Sequence, residues 1–385
     1  MMRYADRIND LEPFHVMRLL AEARQREAAG HDIIHMEVGE PDFPTPETIV
    51  AAGQAALAQG FTRYTPALGL PQLREAIAVY YHERYALEIS PSRIVVTPGA
   101  SGALQLLMAL LVNPGSEVLM ADPGYPCNRN FTFLYGGLPV SIPVDATSGF
   151  QLTADLIRQY WKPGVSRVVL LTSPANPTGA VVCSDVLAEI VAAVKALGGY
   201  LIVDEIYQGL IYQTKDHTAL SLDKDVFVIN SFSKYFGMTG WRVGWLVAPE
   251  SAVTELDVLA QNVFLATTTM SQYAALVALS AQTREVLEQR REIFQQRRDF
   301  LLPALQQLGF RFSSVPQGAF YLYADCTGLA EDSATLAQRL LVEAGVAATS
   351  GIDFSRVKPE RFLRFAYTTG VERLELAIER IASQI

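Results

Sequence analysis

The sequence predicts an α/β fold whose largely parallel sheet is covered by helices on both faces. Three observations carry that prediction. Short, β-branched apolar runs alternate with longer segments of helical periodicity. The runs are apolar throughout, without the polar alternation of a half-exposed strand, so both of their faces are buried. Five of them end in small, polar or ionisable residues. That places a chemically equipped rim at the carboxyl ends of the strands, where open α/β sheets bind ligands.

Taken in order, residues 16–29 have a helical pattern and the segment 31–35 reads as a strand entering 36–39. Residues 94–97 form an apolar strand ahead of a helix over 103–112, and 117–121 precede a helix expected near Pro126. The strand 167–172 leads to a helix over 185–197, where Val186, Ile190, Val191 and Val194 make one apolar stripe. Strands follow at 200–204, 226–231 and 243–247, then long helices from about 249 to 308. The last part differs, with strands at 320–324 and 361–366 and helices over 334–344 and 372–383. The expected architecture is a large domain over 46–280 with a mostly parallel, seven-stranded-type sheet. A smaller α+β domain is expected from both chain ends, 1–45 and 281–385.

Composition narrows the function. The 385 residues carry 31 Lys+Arg against 40 Asp+Glu, a net charge of −9, and no basic run. A nucleic-acid or anionic-membrane partner would need a basic footprint, so neither is expected. The longest strongly apolar stretch, 103–112, falls short of the roughly 20 residues that span a bilayer. No secretory h-region stands at the N-terminus, and the three cysteines form no CxxC pair. A disulfide framework and a thiolate zinc site are therefore not expected, and a reducing cytoplasm is the expected location.

The strand ends carry the chemistry. Residues 94–96 run into Thr97-Pro98-Gly99-Ala100-Ser101-Gly102, and 118–120 into Asp122-Pro123-Gly124-Tyr125-Pro126. Residues 168–171 lead into Ser173-Pro174-Ala175-Asn176-Pro177-Thr178-Gly179. Asp204-Glu205-Ile206-Tyr207 follows 201–203, and Asn230-Ser231-Phe232-Ser233-Lys234 follows 226–229. The segment from Gly99 to Gly102 opens a helix whose free N–H groups suit a phosphate, although an ordinary glycine-containing turn reads the same. Asp204 suits a cap or the partner of a buried cation. Lys234 is a Schiff-base former if desolvated and an ordinary solvated lysine otherwise. Arg242 offers a bidentate fork to an anion, or a surface salt bridge. As a set, these groups describe a site for an aromatic cofactor with a phosphate. Tyr125 would cover a ring face, Asp204 would meet a ring nitrogen and Lys234 would bond a carbonyl, which are the requirements of pyridoxal phosphate.

The stretch Ser231-Phe232-Ser233-Lys234-Tyr235-Phe236-Gly237-Met238-Thr239-Gly240-Trp241-Arg242-Val243-Gly244 resembles a known lysine signature. It is that of the class I, aspartate aminotransferase-like, pyridoxal-phosphate enzymes of fold type I. Arg63-Tyr64-Thr65 with Gly69 and Leu73-Arg74, then Asn176-Pro177-Thr178-Gly179, Asp204-Glu205-Ile206-Tyr207 and Arg364, join it in the family's order. The resemblance spans residues 39–364. It implies a pyridoxal 5′-phosphate-dependent transaminase that moves an amino group from an L-amino acid to a 2-oxo acid.

Position by position, the resemblance implies that Lys234 carries the cofactor and moves the proton, and that Asp204 keeps the ring nitrogen protonated. Asn176 and Tyr207 would bond the ring 3-oxygen, and Tyr125 would stack on the ring. The backbone of Ala100, Ser101 and Gly102, with Ser231, Ser233 and Arg242, would bind the phosphate. Arg364, the Gly39 backbone and Asn176 would hold the substrate α-carboxylate. Tyr64 would reach the neighbouring subunit's phosphate, making the active unit a homodimer.

Two features depart from the family's pattern. Ala100 and Gly102 offer the phosphate no side-chain donor, and the helix over 103–112 lacks the lysine with which some relatives meet a distal carboxylate. The second absence tilts the expected donor toward neutral or aromatic amino acids. A carbon–sulfur β-lyase on the same fold and lysine is the alternative reading. A non-catalytic, cofactor-binding effector sensor is a rival from another class. It would need an added DNA-binding domain, against which the net charge and the onset of motifs by residue 39 both speak.

Other signals are weaker. His31 and His35 have the i, i+4 spacing of helical metal ligands, but the intervening residues lack the HExxH glutamate and read as a strand, so no metal is expected. His15, His82 and His217 are scattered, Ser101 and Ser173 sit in no GxSxG elbow, and no GxGxxG follows a strand. The charged stretch 284–298 reads as a solvated or interdomain helix face.

Overall fold

The computed structural model describes residues 4–385. Seven strands form the main sheet: β1 Ile94–Thr97, β2 Glu117–Asp122, β3 Leu138–Pro143, β4 Ser166–Thr172, β5 Tyr200–Asp204, β6 Phe227–Ser231 and β7 Gly244–Val247. Their order is β1-β7-β6-β5-β4-β2-β3. All pairings from β6 to β3 are parallel, and β7 runs antiparallel to both neighbours. The expected α/β class holds.

Successive strand residues feed opposite faces of this sheet. Val95, Val118, Val168, Ile202 and Leu246 belong to one buried cluster, covered by helices Gly99–Leu111 and Val253–Val263. Ile94, Leu119, Val169, Val203 and Val247 belong to the other, where Ser184–Ala196 contributes Ile190 and Val194. Burial on both faces is why the strands read as unbroken apolar runs.

The sequence reading overlooks β3 and the helices Glu47–Ala58, Pro71–Tyr85 and Ala154–Tyr160. Pro139 and Pro143 argue against a central strand, but β3 is an edge strand, whose outer N–H groups need no ladder partner. The opposite edge, β1, is covered: Val96 N–H donates to the Leu68 carbonyl at 3.0 Å and Arg74 Nε to the Ile94 carbonyl at 2.8 Å.

The smaller sheet is antiparallel and joins Thr349–Ser350, Phe362–Ala366 and Tyr321–Asp325, while Ile34–His35 pairs in parallel with Val346–Ala347. The two ends of the chain are interwoven here. Ala366 N–H donates to the Met36 carbonyl at 2.7 Å. Helix His15–Ala28 has no local side-chain cap. Its first N–H groups, on His15 and Val16, donate instead to the distant Asp353 carboxylate at 2.9 and 2.8 Å. The helix expected over 334–344 is α-helical over Ser333–Arg339 and widens to a π-turn over Leu340–Ala344.

Helix Ala281–Gln307 carries the charged stretch 284–298, and two of its arginines correct the expectation of a solvated face. Arg297 and Arg298 are 4% and 1% exposed. Arg297 forks onto Asp42 at 2.7 and 2.8 Å, and Arg298 donates to the Pro316 carbonyl at 2.8 Å. A guanidinium tolerates burial when its donors meet acceptors in this planar geometry. Among the described residues no helix is long and apolar enough to cross a membrane.

Candidate active site

The site lies beyond the carboxyl ends of β1, β5 and β6, as a cavity of about 280 Å³. Asp204 ends β5 and is 4% exposed. Its Oδ1 accepts a hydrogen bond from Ile206 N–H at 3.1 Å, so it does cap a turn, while the side chain still lines the cleft. Burial pushes its pKa up to about 6, opposed by that N–H and by the charge of Lys234.

Lys234 follows β6, and its Nζ donates to the Gly39 carbonyl at 2.7 Å. Desolvation pulls its pKa down to about 8; Glu40 opposes the shift, while Arg364 and Arg242 assist it. A far larger fraction of the amine than in a solvated lysine is therefore neutral near physiological pH, as a nucleophile requires.

The third group is an anion cradle. Helix Gly99–Leu111 starts with no side-chain cap, so its first N–H groups have no partner within the helix. Gly99 has φ +68°, and a β-carbon there would overlap the Arg242 guanidinium. Arg242 is anchored by a bond from Nη1 to the Thr239 carbonyl at 3.0 Å. Ser233 faces the same end of the cleft. Ser231 is not part of the cleft lining, and its hydroxyl donates to Ser233 Oγ at 2.9 Å.

Arg364, from strand Phe362–Ala366, supplies the fourth group and is 2% exposed. Its Nη1 donates to Asn176 Oδ1 at 2.9 Å, Nη2 donates to the Glu37 carbonyl, and Nε has no partner among the described residues. The guanidinium carbon lies 4.4 Å from the centre of the Tyr321 ring and 4.6 Å from that of Phe354. The hydroxyls of Tyr207 and Tyr321 are 2.7 Å apart. Phe14, Val16 and Met17 close the mouth of the cleft, with Phe14 edge-on to Tyr125 at 6.1 Å.

Of the residues singled out in the sequence, all except Gly102, Ser231 and Tyr64 line this cleft. Tyr64 is 83% exposed and stands away from it. Sequence reasoning missed Tyr321, Phe354, Glu40 and the apolar mouth. Tyr321 falls in a strand that the sequence does mark, but an aromatic residue in an apolar run reads as core.

The residues present fit pyridoxal 5′-phosphate. A buried carboxylate suits a ring nitrogen that carries a proton, a desolvated amine suits an aldehyde, and the uncapped helix start beside the Arg242 guanidinium suits a phosphate.

Comparison with known proteins agrees. Residues 31–381 match the family described as aminotransferase class I and II. The chain is 36% identical to a valine–pyruvate aminotransferase of Mycobacterium tuberculosis, over 96% of each chain. The crystal structure of an aminotransferase from the same organism superposes with a TM-score of 0.96, at 36% identity, covering 100% of this chain and 99% of that one. An aspartate aminotransferase from Thermus thermophilus with maleate superposes with a TM-score of 0.94, at 32% identity and 100% coverage of both. With the match running through nearly the whole sequence, the chain belongs to the class I and II aminotransferase family and works as a pyridoxal 5′-phosphate-dependent transaminase on amino acids and 2-oxo acids.

Proposed function

We propose that the amino donor is an L-amino acid with a neutral, apolar or aromatic side chain. The observation that carries this reading is the division of the cleft wall. Its cations among the described residues are Lys234, Arg242 and Arg364, each facing a separate task, while the mouth is built from Phe14, Val16, Met17, Val38 and Leu104. An apolar side chain gains free energy by leaving water here, whereas a distal carboxylate would lose its hydration without meeting a cation. The likeness to a valine–pyruvate aminotransferase supports the same choice.

In this reading Asp204 faces the ring nitrogen, Asn176 and Tyr207 the ring oxygen, and Tyr125 the ring. The helix start at Ala100, Ser101 and Gly102 takes the phosphate with Ser233 and Arg242, and Ser231 orients Ser233. When bound, pyridoxal phosphate supplies a sink for the electron pair left at the substrate Cα. Lys234 Nζ takes the Cα proton and returns it, which its lowered pKa permits near neutral pH. Arg364, with one donor still unpartnered at Nε, holds the α-carboxylate beside Asn176 and Gly39. Phe14 and its neighbours exclude water from the mouth.

The active unit is a homodimer in which the exposed Tyr64 completes the phosphate site of a second copy. The division into a larger unit over 46–280 and a smaller one over 1–45 and 281–385 belongs to the same reading. It puts Gly39 and Arg364 on one side of the cleft and Lys234 and Asp204 on the other, so closure assembles the site. A reducing cytoplasm suits the free Cys127, Cys183 and Cys326.

The test is the absorption spectrum of the cofactor-loaded enzyme with single amino acids and no 2-oxo acid. Valine, leucine or phenylalanine should convert the cofactor to its pyridoxamine form without ammonia. Conversion by aspartate in preference to these would overturn the donor assignment, and ammonia with an unconverted cofactor would favour the β-lyase.

A further inference from the structure

We infer that Tyr321 is a positioning residue that ties the cofactor face of the cleft to its carboxylate clamp, acting through its hydroxyl on Tyr207 and through its ring on Arg364. The inference rests on the roles proposed above for Tyr207 and Arg364.

The geometry separates the two actions. Arg364 is fixed within its plane by its bonds to Asn176 and to the Glu37 carbonyl. Neither bond sets the tilt of that plane. The guanidinium carbon lies over the rings of Tyr321 at 4.4 Å and Phe354 at 4.6 Å, and these contacts restrict that tilt. No carboxylate pairs with this guanidinium among the described residues, so its charge rests on those two oxygen acceptors and on the two aromatic faces. Without one face the fork is free to rock, and its open Nε no longer points at a fixed place.

The hydroxyl acts at the other side. Tyr207 is 4% exposed, and its phenol oxygen meets Tyr321 OH at 2.7 Å. Two phenols bring two protons to one hydrogen bond, so one proton remains free for a group in the cleft. When Tyr321 donates, the free proton is that of Tyr207. Gly39 confirms how closely Tyr321 is seated, because a β-carbon on Gly39 would overlap the Tyr321 hydroxyl, and the Gly39 carbonyl is the acceptor of Lys234. One side chain thus touches the neighbours of three functional groups.

Two substitutions divide these actions in the cofactor-loaded enzyme. Tyr321→Phe keeps the ring and removes the hydroxyl. Tyr321→Leu removes both, with Tyr321→Met in its place should the leucine variant not fold. The first readout, taken without substrate, is the pH midpoint of the absorption change of the lysine-bound cofactor. Losing the donor order at Tyr207 leaves the anionic ring oxygen less stabilised, so the midpoint should rise in Tyr321→Phe, in the direction of Tyr207→Phe. The second readout is the split between KM and kcat for the best donor. KM should stay within about twofold in Tyr321→Phe and rise about five- to thirtyfold in Tyr321→Leu, the scale of losing one cation–aromatic contact at a largely desolvated site. An unmoved midpoint in Tyr321→Phe, or equal KM in the two variants, would overturn the inference. Tyr207→Phe and Arg364→Leu serve as controls. If they leave midpoint and KM unchanged, the proposed roles of those residues fail and the inference falls with them. If they move the readouts and the Tyr321 variants do not, the inference alone fails.

Discussion

Lys234 Nζ donates to the Gly39 carbonyl at 2.7 Å, so the amine that must react is held by a neutral acceptor and not by a carboxylate. A carboxylate would stabilise the ammonium; a carbonyl does so far less, and burial then lowers the pKa to about 8.

The first prediction concerns the apoenzyme. Only the neutral amine attacks an aldehyde, so capture of pyridoxal 5′-phosphate should accelerate with pH and level off above about 8, the pKa of Lys234, and not above the 10.5 of a free lysine. Stopped-flow absorbance between about pH 6 and 10 measures this, after correction for the cofactor's own ionisation. A rate still climbing at the upper end would mean that the amine is solvated. Lys234→Ala should lower turnover by about 10³-fold or more and leave non-covalent cofactor binding detectable by dialysis and fluorescence.

Asp204→Ala should lower kcat by about 10²- to 10³-fold, the scale of losing one preorganised charge in a water-poor site. Steady-state kinetics with saturating cofactor checks it. An unchanged kcat would remove Asp204 from the chemistry and leave it as the cap of Ile206.

Gly99→Ala meets two obstacles, the left-handed φ of +68° and the guanidinium of Arg242. Affinity for pyridoxal 5′-phosphate should fall about tenfold or more, from strain of roughly 1–3 kcal/mol. Binding of pyridoxal, which has no phosphate, should fall less. Fluorescence titration of the apoenzyme with both compounds decides the matter, and an equal loss would move the effect away from the phosphate end.

Glu205 is next to Asp204 but faces away from the chemistry. It is 1% exposed, its Oε1 accepts from Ala219 N–H at 2.8 Å, and its Oε2 has no partner. Burial raises its pKa from 4.5 to about 8. Above pH 4.5 the unfolded chain releases this proton while the folded chain keeps it, so stability is lost as pH climbs from there toward 8. Glu205→Gln should abolish that loss. The variant should be more stable at pH 7 by up to about 3 kcal/mol and equal to the parent near pH 4. Urea unfolding at the two pH values tests both sign and window.

The rim of the cleft was legible because it rests on local signals. Runs such as 168–171 and 201–203 are apolar on both faces, and the residues at their ends, Asn176 and Asp204, therefore stand out. β3 was hidden because Pro139 and Pro143 contradict a strand everywhere except at an edge. The mouth was hidden for another reason. Phe14 and Met17 sit at the start of a helix whose first N–H groups are capped by Asp353, and nothing local to either segment marks a contact across 338 residues. Tyr321 looked like core because its role lies in what its ring and hydroxyl touch, which depends on register between strands far apart in the chain, and Phe354 stands in a turn with no local signal of its contact with Arg364.

The main sheet ends in a covered β1 at one margin and a proline-bearing β3 at the other. A growing cross-β stack needs a row of free donors and acceptors to template the next chain. At β1 that row is already engaged by Leu68 and Arg74, and at β3 two of its donors do not exist. Copies of this protein that crowd together therefore meet no free row of donors and acceptors on the main sheet through which it could be extended.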